Sequence, residues 1–225
     1  MTRDRTRTTG GSDGAGDDLA AYAALRAKVD AWATTTAARR ADALRCRAGC
    51  DACCHVALTV CATEAEALRR GLRALDGAAR ARLGARAAAL GAGGERAPAR
   101  CVMLEDDGTC AVYDARPLVC RTQGHALRYP AGVVPEAAVR ARGRPVGGVT
   151  GGDEDAADAI TWCPLNFAGA PPRAEDVLDA ARVDAMLALV DRQRALGQAG
   201  APDGARAPDG ARVTLVALAA EAALW

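Results

Sequence analysis

The stretch "CRAGCDACCH", residues 46–55, carries four cysteines, two of them adjacent at Cys53 and Cys54. Thiols this crowded serve a metal ion, an iron–sulfur cluster or a redox pair, or else form an inert core. The chain holds 9 cysteines in 225 residues. It opens on the polar "MTRDRTRTTGGSDGAGDD", with no apolar leader, and no later run is apolar enough to span a bilayer. The expectation is a cytoplasmic chain with no membrane association. Thiols there stay reduced, and their odd number also argues against a disulfide framework.

Half of the residues are apolar but only 3% are aromatic, because alanine supplies most of the apolar count. Such a core is thin per residue, so something beyond apolar packing is expected to hold part of the fold. The formal net charge of +1 gives no electrostatic reason to expect nucleic acid. Lys28 is the only lysine.

The spacing runs C-x3-C-x2-CC, then Cys61, then C-x8-C-x9-C at Cys101, Cys110 and Cys120, then Cys163. Drawn as a helix, Cys46, Cys50, Cys53 and Cys54 fall within an arc of roughly 100°. The adjacent pair still points about 100° apart on that helix, so Cys53 and Cys54 do not serve one ion comfortably.

"CVMLEDDGTCAVY", residues 101–113, predicts a β-hairpin with a type I′ turn at Asp107-Gly108. In that register Cys110 faces Glu105, and Cys101 lies four residues further on, roughly 13 Å at about 3.3 Å per residue. That is too far for thiolates sharing one ion, where each Zn–S bond is about 2.3 Å. Either the hairpin is irregular or the two cysteines serve different centres. Both features favour two metals or one polynuclear cluster. Two Zn²⁺ on eight thiolates carry a formal −4, and a [4Fe–4S] cluster on four thiolates about −2. Arg47, Arg116 and Arg121 flank cluster cysteines and are candidate donors to sulfur.

Elsewhere the patterning is helical. Leu19, Tyr22, Leu25, Val29 and Trp32 recur at three- and four-residue steps and predict a helix over 18–44. "TEAE" at 63–66 predicts a capping box that starts a helix running to "GAGG", weakened or broken at Gly71, Gly77 and Gly84. "DARPLVCR" predicts a helix start, with Asp114 as cap and Pro117 in the first turn. Residues 128–161 read as a Gly- and Pro-rich loop whose acidic run, Asp153-Glu154-Asp155, is solvated. Two late helices are expected, at 174–197 and 213–223, either side of the linker-like near-repeat "APDGARAPDGAR". The fold class is mainly α, with helices around a small cysteine-rich metal core and a short β-hairpin. Residues 1–17 read as a disordered arm and 18–197 as the cysteine-cluster domain. Residues 198–225 read as a linker and a C-terminal helix packing on that domain.

"CRAGCDACC", "TEAEAL", "CVMLEDDGTCAVYDARPLVCRTQG" and "WCPLN" together resemble the YkgJ-type cysteine-cluster proteins, over about residues 46–166. The resemblance implies chelation of zinc or iron through Cys46, Cys50, Cys53, Cys54, Cys101, Cys110, Cys120 and Cys163, with Cys61 the spare. It implies no known reaction. Many relatives have a shorter C-x2-C-x2-CC opening, which sets Cys46 apart as a ligand. Similar clusters occur in flagellin lysine methylases, where an iron–sulfur cluster is implied.

Cys61 sits among apolar neighbours and reads as core. His55 and His125 read as spectators. Tyr113 is expected to pack and Trp162 to shield Cys163. "GAGG" follows a helix rather than a strand, so it is no dinucleotide fingerprint. The functional expectation is a cytoplasmic metal-binding protein that chelates zinc, iron or an iron–sulfur cluster, with catalytic residues and protein partner unassigned. The alternatives are an iron–sulfur enzyme or electron carrier, and a metal-scaffolded interaction module.

Overall fold

The computed structural model describes residues 18–92, 100–130, 140–141, 144–145, 158–198 and 210–225. Helix α1 spans Ala20–Arg39, α2 Ala62–Arg73 and α3 Gly77–Ala92. A 3₁₀ turn at Tyr113–Ala115 leads into the short α4, Leu118–Thr122. Helices α5, Ala180–Gly197, and α6, Leu215–Ala222, complete the helical set. The strands are short: β1 Thr59–Val60, β2 Ala126–Pro130, β3 Arg140–Ala141, β4 Arg144–Pro145, β5 Asp158–Thr161, β6 Val177–Asp179 and β7 Val213–Thr214. Strand β2 is central, antiparallel to β5 and parallel to β6. Strand β1 pairs with β7, which brings the C-terminal helix back beside the start of α2. The fold is mainly α, as expected. Among the described residues no helix is long and apolar enough to cross a membrane.

Two apolar layers hold the helices. Leu68 and Leu72 of α2, Leu83 and Ala87 of α3, and Leu218, Ala219 and Ala222 of α6 form the larger one, joined by Val60, Val102, Met103 and Val112. Leu72, Leu83 and Leu218 are fully buried, each contributing about 1.5–3 kcal/mol. In the second layer Tyr22, Leu25 and Val29 of α1 meet Ala67, Leu118, and Val183, Leu187 and Val190 of α5. Asp18 ties this layer together, pairing with Arg70 at 2.5 Å and Arg194 at 3.1 Å.

Close approach of α3 and α6 depends on Gly84, where a Cβ would stand 2.4 Å from the Ala223 Cβ. Gly84→Leu is therefore expected to lower stability by about 1–3 kcal/mol through overpacking. At Gly91 a Cβ meets nothing within 4 Å, so Gly91→Ala should melt at or above the wild-type temperature. Thermal unfolding of the two variants checks this.

Several local expectations need correction. The segment from Leu44 to Leu58 is not a helix but a series of turns, closed by Cys50 N–H to Arg47 O (3.0 Å) and Cys54 N–H to Asp51 O (2.7 Å). Cys61, not Thr63, caps α2. The Thr63 hydroxyl is buried without a partner, while its amide donates to Asp191. The expected long second helix breaks after Arg73 and restarts at Gly77, with the Asp76 carboxylate accepting from the Ala79 amide. The late helix begins only at Ala180, because 174–179 form a 3₁₀ turn and β6.

Asp114 lies within the 3₁₀ turn and Pro117 takes the cap position of α4. Residues 1–17, the acidic run at 153–155 and most of the near-repeat lie outside the described residues. Part of the expected loop is strand, at β2 and β5.

Candidate metal centre

The hairpin is irregular, the first of the two options its spacing left open. Glu105 N–H donates to Thr109 O (2.8 Å) and Gly108 N–H to Glu105 O (3.1 Å), with Gly108 at φ +82°. Asp107 has no positive φ. This is a three-residue loop ending in a left-handed glycine, not a type I′ turn. The bridge pair becomes Leu104 with Cys110 rather than Glu105 with Cys110. Before it the chain turns sharply, since Leu104 N–H donates to Cys101 O (3.1 Å). Cys101 is thereby folded back, and its own amide donates to Cys54 O at 2.8 Å. The loop tip touches the first cysteine segment, because a Cβ at Gly108 would stand 2.7 Å from Gly49 O.

The segments converge on one cavity of about 510 Å³. Six thiols line it: Cys50, Cys53, Cys54, Cys101, Cys110 and Cys120. Val56, Leu58, Leu104 and Val119 supply apolar wall, and Arg47 and Arg116 supply positive charge. Arg116 also stacks on Tyr113, 3.6 Å from the ring centroid. Tyr113 is exposed rather than packed. Arg121 is engaged elsewhere: its Nη1 donates to both Asp30 carboxylate oxygens at 2.8 Å, its Nε to Arg116 O at 2.7 Å and its Nη2 to Asp114 O.

The thiols interact as two groups. Cys120 feels Cys101, Cys54 and Cys110, while Cys163 feels Cys46 and Cys50. Cys53 and Cys54 stand at the boundary. The two adjacent thiols act on each other: the neighbouring Cys54 and burial hold the Cys53 thiol well above its ordinary range, while the Cys54 thiol is lowered by Cys53 against burial. Burial pushes Cys101 up to about 11 and raises Cys110, Cys120 and Cys163 as well, whereas Cys46 is exposed. Among the described residues no three Cys, His, Asp or Glu side chains converge in a geometry ready for a single ion.

Cys46 and Cys163 stand at one end of the array, around Gly124. A Cβ on Gly124, at φ +95°, would meet Cys46 Sγ at 3.3 Å and Cys163 Cβ at 3.8 Å. Cys163 is buried beside Trp162, whose edge meets Phe167 with 6.3 Å between ring centroids. Asn166, which no spacing rule singles out, donates to Cys46 Sγ at 3.3 Å. Only its place three residues after Cys163 could have flagged it.

The remaining candidates stand apart. Cys61 is buried, with Sγ 3.9 Å from Glu64 Oε2, and its thiol is pushed up to about 12 by burial. It lines a different cavity, of about 760 Å³, which shares Leu58 and Val119 with the thiol-lined one. His55 meets Asp51 at 3.1 Å. Buried His125 packs edge-on to Trp32 with 5.1 Å between centroids.

Soft thiolates, an apolar wall and two guanidiniums make a donor set suited to zinc or iron. No curated protein and no solved structure matches the chain. Residues 45–143 do match a family model, CxxCxxCC, described as a "Putative zinc- or iron-chelating domain", whose span takes in seven of the eight expected ligands and leaves out Cys163. Over those residues the chain is similar to the CxxCxxCC cysteine-cluster domains.

Proposed function

We propose that the chain chelates metal through Cys46, Cys50, Cys53, Cys54, Cys101, Cys110, Cys120 and Cys163 as a polynuclear thiolate centre, with an iron–sulfur cluster as its occupant. The observation that carries this reading is the arrangement of six thiols around a cavity of about 510 Å³ rather than about a point. A closed tetrathiolate zinc site leaves no spare volume between its sulfurs. A cluster of several irons and sulfides needs that volume and reaches donors set further apart.

When bound, such a group supplies one-electron chemistry. The chain's own residues hold it, screen it with Val56, Leu58, Leu104 and Val119, and balance its negative charge with Arg47 and Arg116. This suits an electron carrier or a cluster-dependent enzyme in the cytoplasm.

A second reading, two zinc tetrathiolates, is favoured by the division of the thiols into two interacting groups that meet at Cys53 and Cys54. Anaerobic purification with assay of iron, acid-labile sulfide and zinc separates the two. Iron and sulfide in equal amounts, with broad visible absorption, are expected. A colourless protein with two zinc ions selects the second reading. A chain that retains neither metal sinks both.

A further inference from the structure

Asn166 is 1% exposed, and its side-chain amide ties its own segment to two others, at Arg45-Cys46 and at Gly124. Its Nδ2 donates to Gly124 O at 2.7 Å and to Cys46 Sγ at 3.3 Å, and its Oδ1 accepts from the Arg45 amide at 2.7 Å. The orientation of the amide is fixed by chemistry. Gly124 O can only accept and the Arg45 N–H can only donate, so Oδ1 and Nδ2 cannot be exchanged.

The surrounding backbone holds this amide in place. Asn166 N–H closes a turn onto Cys163 O at 2.8 Å, and Phe167 N–H donates to Ala43 O at 2.9 Å. Phe167 takes φ +56°, the single non-glycine residue with positive φ among those described. That conformation persists only where its surroundings over-determine it. Here the Arg40 guanidinium sits 5.3 Å from the Phe167 ring centroid, and the Trp162 and Phe167 rings meet edge-on. Cys163 N–H donates to Gly124 O at 3.3 Å, so Gly124 serves both the ligand candidate and its partner amide.

We propose that Asn166 is a positioning residue. It fixes the Cys46 thiolate in the metal centre and draws electron density from its sulfur through an N–H···S bond. The inference rests on the metal-binding reading above, and it brings Cys46 into the ligand set despite the longer spacing to Cys50. Hydrogen bonds to ligating sulfur tune both affinity and reduction potential.

The test is a double-mutant cycle on the full-length chain, titrated with Co²⁺ and read from its thiolate-to-cobalt charge-transfer absorption. Asn166→Asp keeps the size and the acceptor for Arg45 but removes the donor to both Cys46 and Gly124 O. It should weaken Co²⁺ binding about 10–100-fold. Cys46→Ser should remove one thiolate's share of the absorption. In the Cys46→Ser background, Asn166→Asp should have a markedly smaller effect on affinity, because only its bond to Gly124 O is then left to lose.

An undiminished, additive effect in that background would overturn the proposal and leave the metal reading standing. A wild-type chain that develops no charge-transfer absorption would overturn the metal reading first. Should Asn166→Asp fail to fold, the ¹¹³Cd-loaded wild-type protein decides. Scalar coupling between ¹¹³Cd and the Asn166 side-chain amide protons is expected, and its absence overturns the proposal.

Discussion

Cys120→Ser is expected to strip most of the bound metal and to lower the melting temperature, while Cys61→Ser leaves metal content unchanged. Cys120 comes from α4 and faces the cavity together with Cys54, Cys101 and Cys110. In an apolar-walled site a serine oxygen is a poor substitute for a soft thiolate. Because binding free energy at such a site is also folding free energy, metal loss and destabilisation should appear together.

Cys61 has the opposite character. It occupies the N-cap of α2, a position that serine favours, and its sulfur contacts Glu64 rather than another thiol. Its replacement should shift stability by no more than about 1 kcal/mol. Equal metal loss in both variants, measured by elemental analysis after anaerobic purification, would show that the spare cysteine is a different one.

The second large effect is expected at Asp176. This fully buried carboxylate accepts from Arg40 at 2.5 Å, from Arg39 at 3.0 Å and from the Arg173 amide at 3.0 Å. Arg40 is itself only 4% exposed. Asp176→Ala leaves that guanidinium buried without its counter-charge, at a cost of about 3–5 kcal/mol. For a chain of this size the melting temperature should fall by about 6–20 °C. Arg40 also covers Phe167, so the loop that carries Asn166 to Cys46 should loosen.

Acid should act on the same pair. Burial opposes the charge on Asp176, but the Arg173 amide and the Arg40 and Arg39 guanidiniums outweigh it and hold the carboxyl below its ordinary range. A carboxyl depressed in the folded state contributes stability that is present above its unfolded value of about 3.9 and is lost as pH falls through its folded value. Wild-type stability should therefore drop below about pH 4, and Asp176→Asn should flatten that part of the curve. Urea unfolding at several pH values measures it. An unchanged slope in Asp176→Asn would assign the acid sensitivity elsewhere, with Asp18 and its arginine partners next in line.

Much of this was legible in the chain itself. Leu19, Tyr22, Leu25 and Val29 announce α1 because periodicity alone reports a buried helical face. The cysteine count and spacing announce a metal centre for the same kind of reason, since few other chemistries need so many thiols so close.

What failed was local geometry that tertiary contacts decide. The pattern at Cys46–Cys54 fits a helix on paper, yet the segment must wrap the loop tip at Gly108, and turns do that where a helix cannot. The Asp107-Gly108 pair signals a tight turn correctly, but pattern reading cannot tell a two-residue loop from a three-residue one. That single residue changes which side chain faces Cys110. Asn166 carries no spacing signal at all, because its partners Arg45, Cys46 and Gly124 are brought to it only by the fold.

The most direct test of a polynuclear thiolate centre is X-ray absorption at the metal edge of the anaerobically purified protein. Sulfur alone in the nearest shell, with a second shell from a neighbouring metal, is the predicted result. Nitrogen or oxygen donors in the nearest shell, or a single metal with no metal neighbour, would contradict it.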